Sequence, residues 1–528
     1  MNTRKRVVIR PMSMKIKKVV PMRTPQQTKS PLLAMGLMAS LGLGAAATHS
    51  TMVLPFVLGL AVVVVLATTD SYTSLAIIAS ALVVLLLAPL PSSVPTAIYF
   101  AGGSLYFADI ISGLGILLIC MLGATSSKLR GGIYIFCLMA ALFLVVGLIS
   151  GATPGAAFAD VRGPLRLVAG AVVAYQLLVL NRVRATRLFV CLSALITVWT
   201  AVVVASIAFL GVSAFDIRTS NAAVYTTSKS IVYDTARVTP DSGLTCVVIV
   251  GCLLSMRLIW KYTPIAQPAI WLVVVGSGLF VGLVSYTRGH FLVLALILLL
   301  MTVVSRSRLQ TFVRIGTGAL IVTLFAWLAY GFLDAVDAQY ARYFLQPLSA
   351  FRGKVLDGLL VENVQVDTSA LWRVRESQLA LEYFSKNWIF GSGFGARYRT
   401  FTRGEIFDGV RGLTYIHNGY LWILVKTGLI GAIAVLLAGA LAIRRVLTVS
   451  QSSGLHRATV LGLVVLAALA TQMITSPTII ENANSLLVGI IVGSVGYSLR
   501  PEAKPDDAEP VRDIERVVPG ARVVEESR

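Results

Sequence analysis

Leu60-Ala-Val-Val-Val-Val-Leu-Ala67 and Leu294-Ala-Leu-Ile-Leu-Leu-Leu-Met-Thr-Val-Val304 decide the fold. Neither run alternates apolar with polar residues, as a strand of a membrane barrel with a polar lumen would. Both are apolar all round, which suits a helix that satisfies its own backbone in lipid. The whole chain shares the bias: 56% of its 528 residues are hydrophobic and 13% are charged, with a mean hydropathy of +0.82. Soluble domains carry about a quarter charged residues. A water-soluble core could not hide so much apolar surface, and an all-α polytopic membrane protein is predicted.

Runs near the ~20 residues that cross a bilayer fall at 31–48, 52–69, 73–90, 105–126, 131–150, 164–180, 188–211, 243–260, 266–286, 289–304, 312–333, 418–441, 457–475 and 481–499. They give about 12–14 transmembrane helices. Basic clusters test the register. Lys128/Arg130, Arg182/Arg184/Arg187, Arg257/Lys261, Arg306/Arg308/Arg314 and Arg444/Arg445/Arg457 fall on alternate loops. They share a side with the basic tail 1–30 and the tail 500–528. The positive-inside rule makes that side cytoplasmic, so both termini are expected in the cytoplasm and the protein in a bacterial inner membrane. The net charge of +21 is then topological, and no nucleic-acid partner is implied. The turn at Asp70 breaks the pattern by lacking a basic residue, which leaves room for one span and a re-entrant piece over 31–69.

Five domains follow: the basic tail 1–30, an N-terminal transmembrane bundle 31–333, a large extracytoplasmic loop 334–416, C-terminal transmembrane helices 417–499, and a disordered tail 500–528. Ala45-Ala46-Ala47 after an apolar stretch resembles a signal cleavage site, but the preceding tail is long and the spans continue at once. Cys120, Cys137, Cys191, Cys246 and Cys252 lie in or beside apolar runs without paired spacing, so neither a disulfide framework nor a metal site is expected. The spans read as nearly free of charge, with polarity concentrated in the insert. Long loops of this kind usually carry function. Within the loop, Asp367-Thr-Ser opens an amphipathic helix over 371–387, and Gly391-Ser-Gly393-Phe-Gly395 closes it with a flexible turn.

Of four histidines, His456 reads as solvated, His49 as structural, and His290 as a helix-cap or interface residue. His417 differs, because it stands where the insert re-enters the membrane and an imidazole there suits general-base work. Arg288, in Thr287-Arg288-Gly289 between two apolar spans, is the other anomaly. A membrane-level charge is costly unless it snorkels or has a partner, and a guanidinium fork matches a diphosphate. Span parity puts Arg288 and His417 on one face, with Arg373, Arg375, Arg397, Arg399, Arg403 and Arg411 in the insert between them. That combination describes a site for an anionic, lipid-attached substrate.

Leu371-Trp-Arg373 through Gly391-Ser-Gly393-Phe-Gly395, then His417-Asn418 and Gly428-Leu-Ile-Gly431, together resemble the O-antigen ligase/polymerase family. Thr287-Arg288-Gly289 resembles that family's Ser-Arg-Gly turn, and the likeness spans about 281–431. Ser377 and Trp388 depart from it, standing where the family often has Trp and Pro. The resemblance implies a metal-independent, inverting GT-C glycosyltransferase without a cofactor. Its implied donor is an undecaprenyl-diphosphate-linked glycan, and its acceptor a glycan, lipid or protein hydroxyl. His417 would assist the acceptor, while Arg288 and Arg373 hold the diphosphate; Arg403 and Arg411 are further candidates for substrate contacts. Polymerase is slightly favoured over ligase, since no acceptor-specific signature is present. The alternatives are a flippase of lipid-linked oligosaccharides, disfavoured by charge-poor spans, and a metal-using polyprenyl-phosphate mannosyltransferase, whose resemblance would require acids in the first outer loop; His49-Ser50-Thr51 has none.

Overall fold

The computed structural model describes residues 69–90, 96–100, 103–121, 127–210, 222–225, 237–285, 287–305, 307–318, 328, 368–399, 414–448, 454–478, 480 and 482–499. Both tails, the expected spans 31–48 and 52–69 (Thr69 apart), most of 312–333, Arg306, and most of the insert with Arg403 and Arg411 lie outside the described residues. From Ser71 onward the chain forms one unit. Of the unit before it, Met1–Asp70, only Thr69 and Asp70 are described.

The helices are α1 (Ser71–Leu87), α2 (Phe107–Met121), α3 (Ser127–Ile149), α4 (Pro154–Leu180), α5 (Arg182–Leu210), α6 (Gly243–Trp260), α7 (Pro268–Ser285), α8 (Arg288–Val304), α9 (Thr368–Lys386), α10 (Gly419–Thr448), α11 (Gly454–Gln472) and α12 (Asn482–Ser498). All but α9 fall on predicted spans. Among the described residues, six contain stretches long and apolar enough to cross a membrane, and five more are shorter apolar helices. Among the described residues, two small antiparallel hairpins are added to the expected helices: β1 (Ala97–Phe100) with β2 (Gly103–Tyr106), and β3 (Ala222–Tyr225) with β4 (Arg237–Pro240). Each joins consecutive helices outside the spans, where a four-residue ladder satisfies the connecting backbone.

Small residues set the closest helix contact. On α12, a Cβ at Gly489 or Gly493 would fall 2.1 Å from the carbonyl oxygen of Leu167 or Ala171 on α4. Between membrane helices, where water supplies no hydrophobic drive, such backbone approach is what holds a pair together. Around this pair, Val293, Ile297 and Met301 of α8 pack with Leu244 and Val248 of α6 and with Val464 and Leu469 of α11.

The ends of the bundle are fixed by contacts that each involve a helix terminus. At one end, the Trp199 indole N–H donates to the Pro89 carbonyl just past α1 (3.1 Å). The Ser242 hydroxyl, before α6, meets that of Thr200 (3.0 Å). The His290 ring at the start of α8 lies against Gly243 at the start of α6, and the Gly419 N–H at the start of α10 donates to the Met473 carbonyl just past α11 (2.7 Å). At the opposite end, the Arg257 guanidinium lies 4.8 Å over the Trp271 ring, and Arg314 Nη1 donates to the Leu258 carbonyl (3.3 Å). The helix-terminal arginines of the alternate loops therefore gather away from the end that carries α9.

The spans are not charge-free, which corrects the expectation above. Arg166 in α4 is fully buried, and its Nε and Nη2 donate to Asp109 Oδ1 of α2 at 2.9 and 2.6 Å. Arg162 Nε lies 3.1 Å from Asp109 Oδ2, with its guanidinium stacked 4.6 Å over the Tyr106 ring. Lys426 in α10 is fully buried as well, 2.8 Å from Asp160 Oδ2 of α4. Lys426 and Asp160 pair one to one, whereas Arg162 and Arg166 share the single Asp109 carboxylate, so that cluster carries one more positive charge than its acid offsets.

Candidate active site

The insert helix α9 turns Glu376 inward, leaving it 2% exposed. On the same face, Ala380 is fully buried and Leu379, Tyr383 and Phe384 pack against the core that holds Phe394, Ile416 and Trp422. A carboxylate placed there needs partners, and it has them. Its Oε2 accepts the His417 backbone N–H (2.9 Å) and the ring Nδ1 (2.9 Å). Its Oε1 lies 3.2 Å from the same Nδ1 and accepts the Tyr398 hydroxyl at 3.1 Å. Burial first, and the Glu376 charge second, push the Tyr398 phenol up, so it stays a donor to the carboxylate.

A carboxylate only accepts hydrogen bonds, so the His417 Nδ1 carries the proton between them. In the neutral ring that leaves the lone pair on Nε2, the arrangement of a general base. The Tyr415 ring meets the imidazole edge-on at 5.0 Å, and the side chain keeps 19% of its surface exposed. Asn418 caps α10, its Oδ1 accepting the N–H groups of Tyr420 (3.0 Å) and Leu421 (3.1 Å). The cap sets the backbone from which His417 projects.

The glycine turn is locked rather than flexible, a second correction. Phe394 stacks on Trp422 with centroids 5.9 Å apart. Its N–H donates to the Phe143 carbonyl of α3 (3.0 Å), while Ser392 and Gly393 donate to Val425 and Lys426 of α10 (2.9 and 3.0 Å). Gly393 has φ +76°, and a Cβ there would lie 2.0 Å from the Gly147 nitrogen. Gly428, with φ +64°, breaks the helical path of α10 where the turn crosses it. Asp160 Oδ2 accepts the Gly395 N–H (2.6 Å), and Lys426 Nζ donates to the Ala396 carbonyl (2.7 Å). The turn thus runs from α10 to Tyr398 and so to Glu376. Gly393→Ala is expected to destabilise the fold by roughly 2–4 kcal/mol, combining left-handed strain with overpacking. A thermal-shift comparison in detergent checks this, and an unchanged midpoint would contradict the locked turn.

Arg288 is the first residue of α8, half-buried. Behind it, Gly289 lies against the Gln472 side chain, where a Cβ would meet the amide at 2.5 Å. His290 Nδ1 is 3.2 Å from the Ser285 hydroxyl, closing the α7–α8 corner. Gln472 ends α11, and the next residue, Met473, holds Gly419. Arg288 and His417 therefore border one turn at one end of the bundle. Arg373 precedes Glu376 by three residues, about 60° away around α9, and it is exposed. Arg399 lies 4.9 Å over the Trp372 ring. Among the described residues, no group of three His, Cys, Asp or Glu side chains could hold a metal ion.

Sequence reading missed Glu376 and Tyr398. The signal for Glu376 was its place four residues after Trp372 and four before Ala380, on the inward stripe of α9 rather than the solvent face.

Helices apolar enough to cross a membrane, with a histidine oriented by a buried acid at one end of the bundle, define a membrane protein with a candidate active site there. Residues 272–436, from α7 into α10, match the family model for O-antigen ligase. The match encloses the 281–431 region on which the resemblance was read. No curated protein matches the chain.

Proposed function

We propose that the protein transfers or polymerises a glycan from undecaprenyl diphosphate onto an acceptor hydroxyl at the outer face of the inner membrane. The observation that carries this is the His417 Nδ1 held by the buried Glu376 carboxylate at 2.9 Å. His417 Nε2 takes the proton from the acceptor hydroxyl as its oxygen bonds to the anomeric carbon. The bond from that carbon to the diphosphate breaks, and the electron pair leaves with the phosphate oxygen. Arg288 and Arg373 hold the diphosphate and stabilise the charge that grows on it, so the step as written uses no metal. Both Glu376 oxygens are engaged by Tyr398 and His417, which suits a positioning carboxylate rather than a nucleophile. A single displacement with inversion follows. Acceptors can be another lipid-linked repeat, a lipid or a protein, with polymerisation favoured slightly. Arg403 and Arg411 are further candidates for contacts with the donor.

Orientation follows from the basic residues at the far end of the bundle, which the positive-inside rule assigns to the cytoplasm together with both termini. Incubating purified protein with undecaprenyl-diphosphate-linked glycan in vesicles tests the proposal. Chains that lengthen identify a polymerase, glycan on a different acceptor identifies a ligase, and an unchanged donor pool refutes both. Glu376→Gln is expected to slow transfer by roughly 10²–10⁴-fold, because an amide no longer fixes the imidazole tautomer. Wild-type rates in that variant would remove the positioning role.

A further inference from the structure

We infer that the Trp388-Ile389-Phe390 corner of the insert is seated in the lipid interface, anchoring the site-bearing helix α9 to the membrane surface. The three residues follow α9 directly and are exposed, Trp388 by 52% and Phe390 by 58%. Three consecutive large apolar side chains at a helix end are costly in water. Their backbone is bonded to α10: the Trp388 carbonyl accepts the Leu429 N–H (2.8 Å) and the Ile389 carbonyl that of Ile430 (3.2 Å).

That position on α10 is where its character changes. Residues 421–423 and 425–428 are buried, whereas Leu429, Ile430, Ile433, Leu436 and Leu437 are exposed on a helix long and apolar enough to span a bilayer. The corner therefore continues the lipid-facing surface of α10 at its upper margin. On the other side, the Phe394 N–H bonds the Phe143 carbonyl of α3, and α3 exposes Leu142, Val145, Leu148 and Ile149 up to its end. Both neighbours place the corner at the rim of the apolar belt. Lys386 and Arg397, both exposed, flank it as basic residues flank aromatic anchors that meet anionic headgroups.

The occupant is the bilayer itself, at the boundary of headgroups and acyl chains. Spin labels on Trp388→Cys and, separately, Phe390→Cys would test it, with Cys120, Cys137, Cys191 and Cys252 replaced by alanine. The labelled protein is reconstituted in phosphatidylethanolamine–phosphatidylglycerol vesicles. Leu436→Cys serves as the lipid reference and Glu382→Cys as the exposed reference. Collisional access is read with oxygen, which partitions into lipid, and with a water-soluble nickel chelate. Oxygen access near that at position 436, with nickel access several-fold below that at 382, is the expected result. Nickel access equal to that at 382 would place the corner in water, and exclusion of both probes would place it against protein, a second copy included; either outcome overturns the inference. The inference needs only that α10 spans the bilayer. A water-exposed corner in a protein that still transfers glycan would sink it and leave the proposed chemistry standing.

Discussion

Replacing His417 with alanine is expected to lower glycan transfer by about 10²–10⁴-fold, the usual contribution of a positioned general base, with the protein still inserted and abundant. The ring is only partly buried, 19% exposed, and its removal leaves the Asn418 cap in place, so the loss falls on chemistry rather than on folding. It does strand part of Glu376, but Tyr398 and the residue 417 backbone N–H still donate to that carboxylate. Product analysis with purified protein measures the effect. Normal chain length or normal ligation would refute the role.

The second large effect is expected at Arg288. Arg288→Ala should reduce transfer by roughly 10²–10³-fold, the scale of losing one preorganised stabiliser of developing charge. Arg288→Lys should recover only part of it, because an ammonium keeps the charge without the bidentate fork. The turn that carries Arg288 is held independently of its side chain, by Gly289 against Gln472 and by His290 with Ser285. Titrating lipid-linked donor against each variant separates binding from turnover. Equal rates in wild type and Arg288→Ala at all donor concentrations would contradict a diphosphate contact.

The helical architecture was readable because long apolar runs leave few structures that lipid tolerates, and each described apolar helix lies on a run seen in the sequence. Arg288 and His417 drew notice as candidates for a related reason: a polar residue at the end of an apolar run stands out against its surroundings. Glu376 did not, since an acid in an amphipathic helix ordinarily reads as part of the solvated face. Only its register against Trp372 and Ala380 placed it inward. The buried ion pairs were harder still. Asp160 and Lys426 meet across α4 and α10 from opposite halves of the chain, and no local pattern announces such a partner. The glycine turn was misread as flexible because conformational freedom belongs to the residue, whereas rigidity came from α3, α4 and α10 packed against it.

The buried charges also change the case against a flippase, which had rested on charge-poor spans. What opposes transport now is where the charges lie. Asp109 sits in the first turn of α2, and the Asp160–Lys426 pair lies against the glycine turn. Both are at the end that carries the histidine, whereas transporter sites lie near the bilayer midplane. Asp160 and Lys426 hold the turn that leads to Tyr398, which gives them a structural task in a fixed site.

The proposed mechanism is a one-step displacement in which His417 serves as base and Glu376 only positions it. The stereochemistry of the new glycosidic bond tests this most directly, read by nuclear magnetic resonance on product made by the purified protein from donor of known anomeric configuration. Inversion at the anomeric carbon is predicted. Retention would require a covalent or otherwise two-step route and would contradict the mechanism.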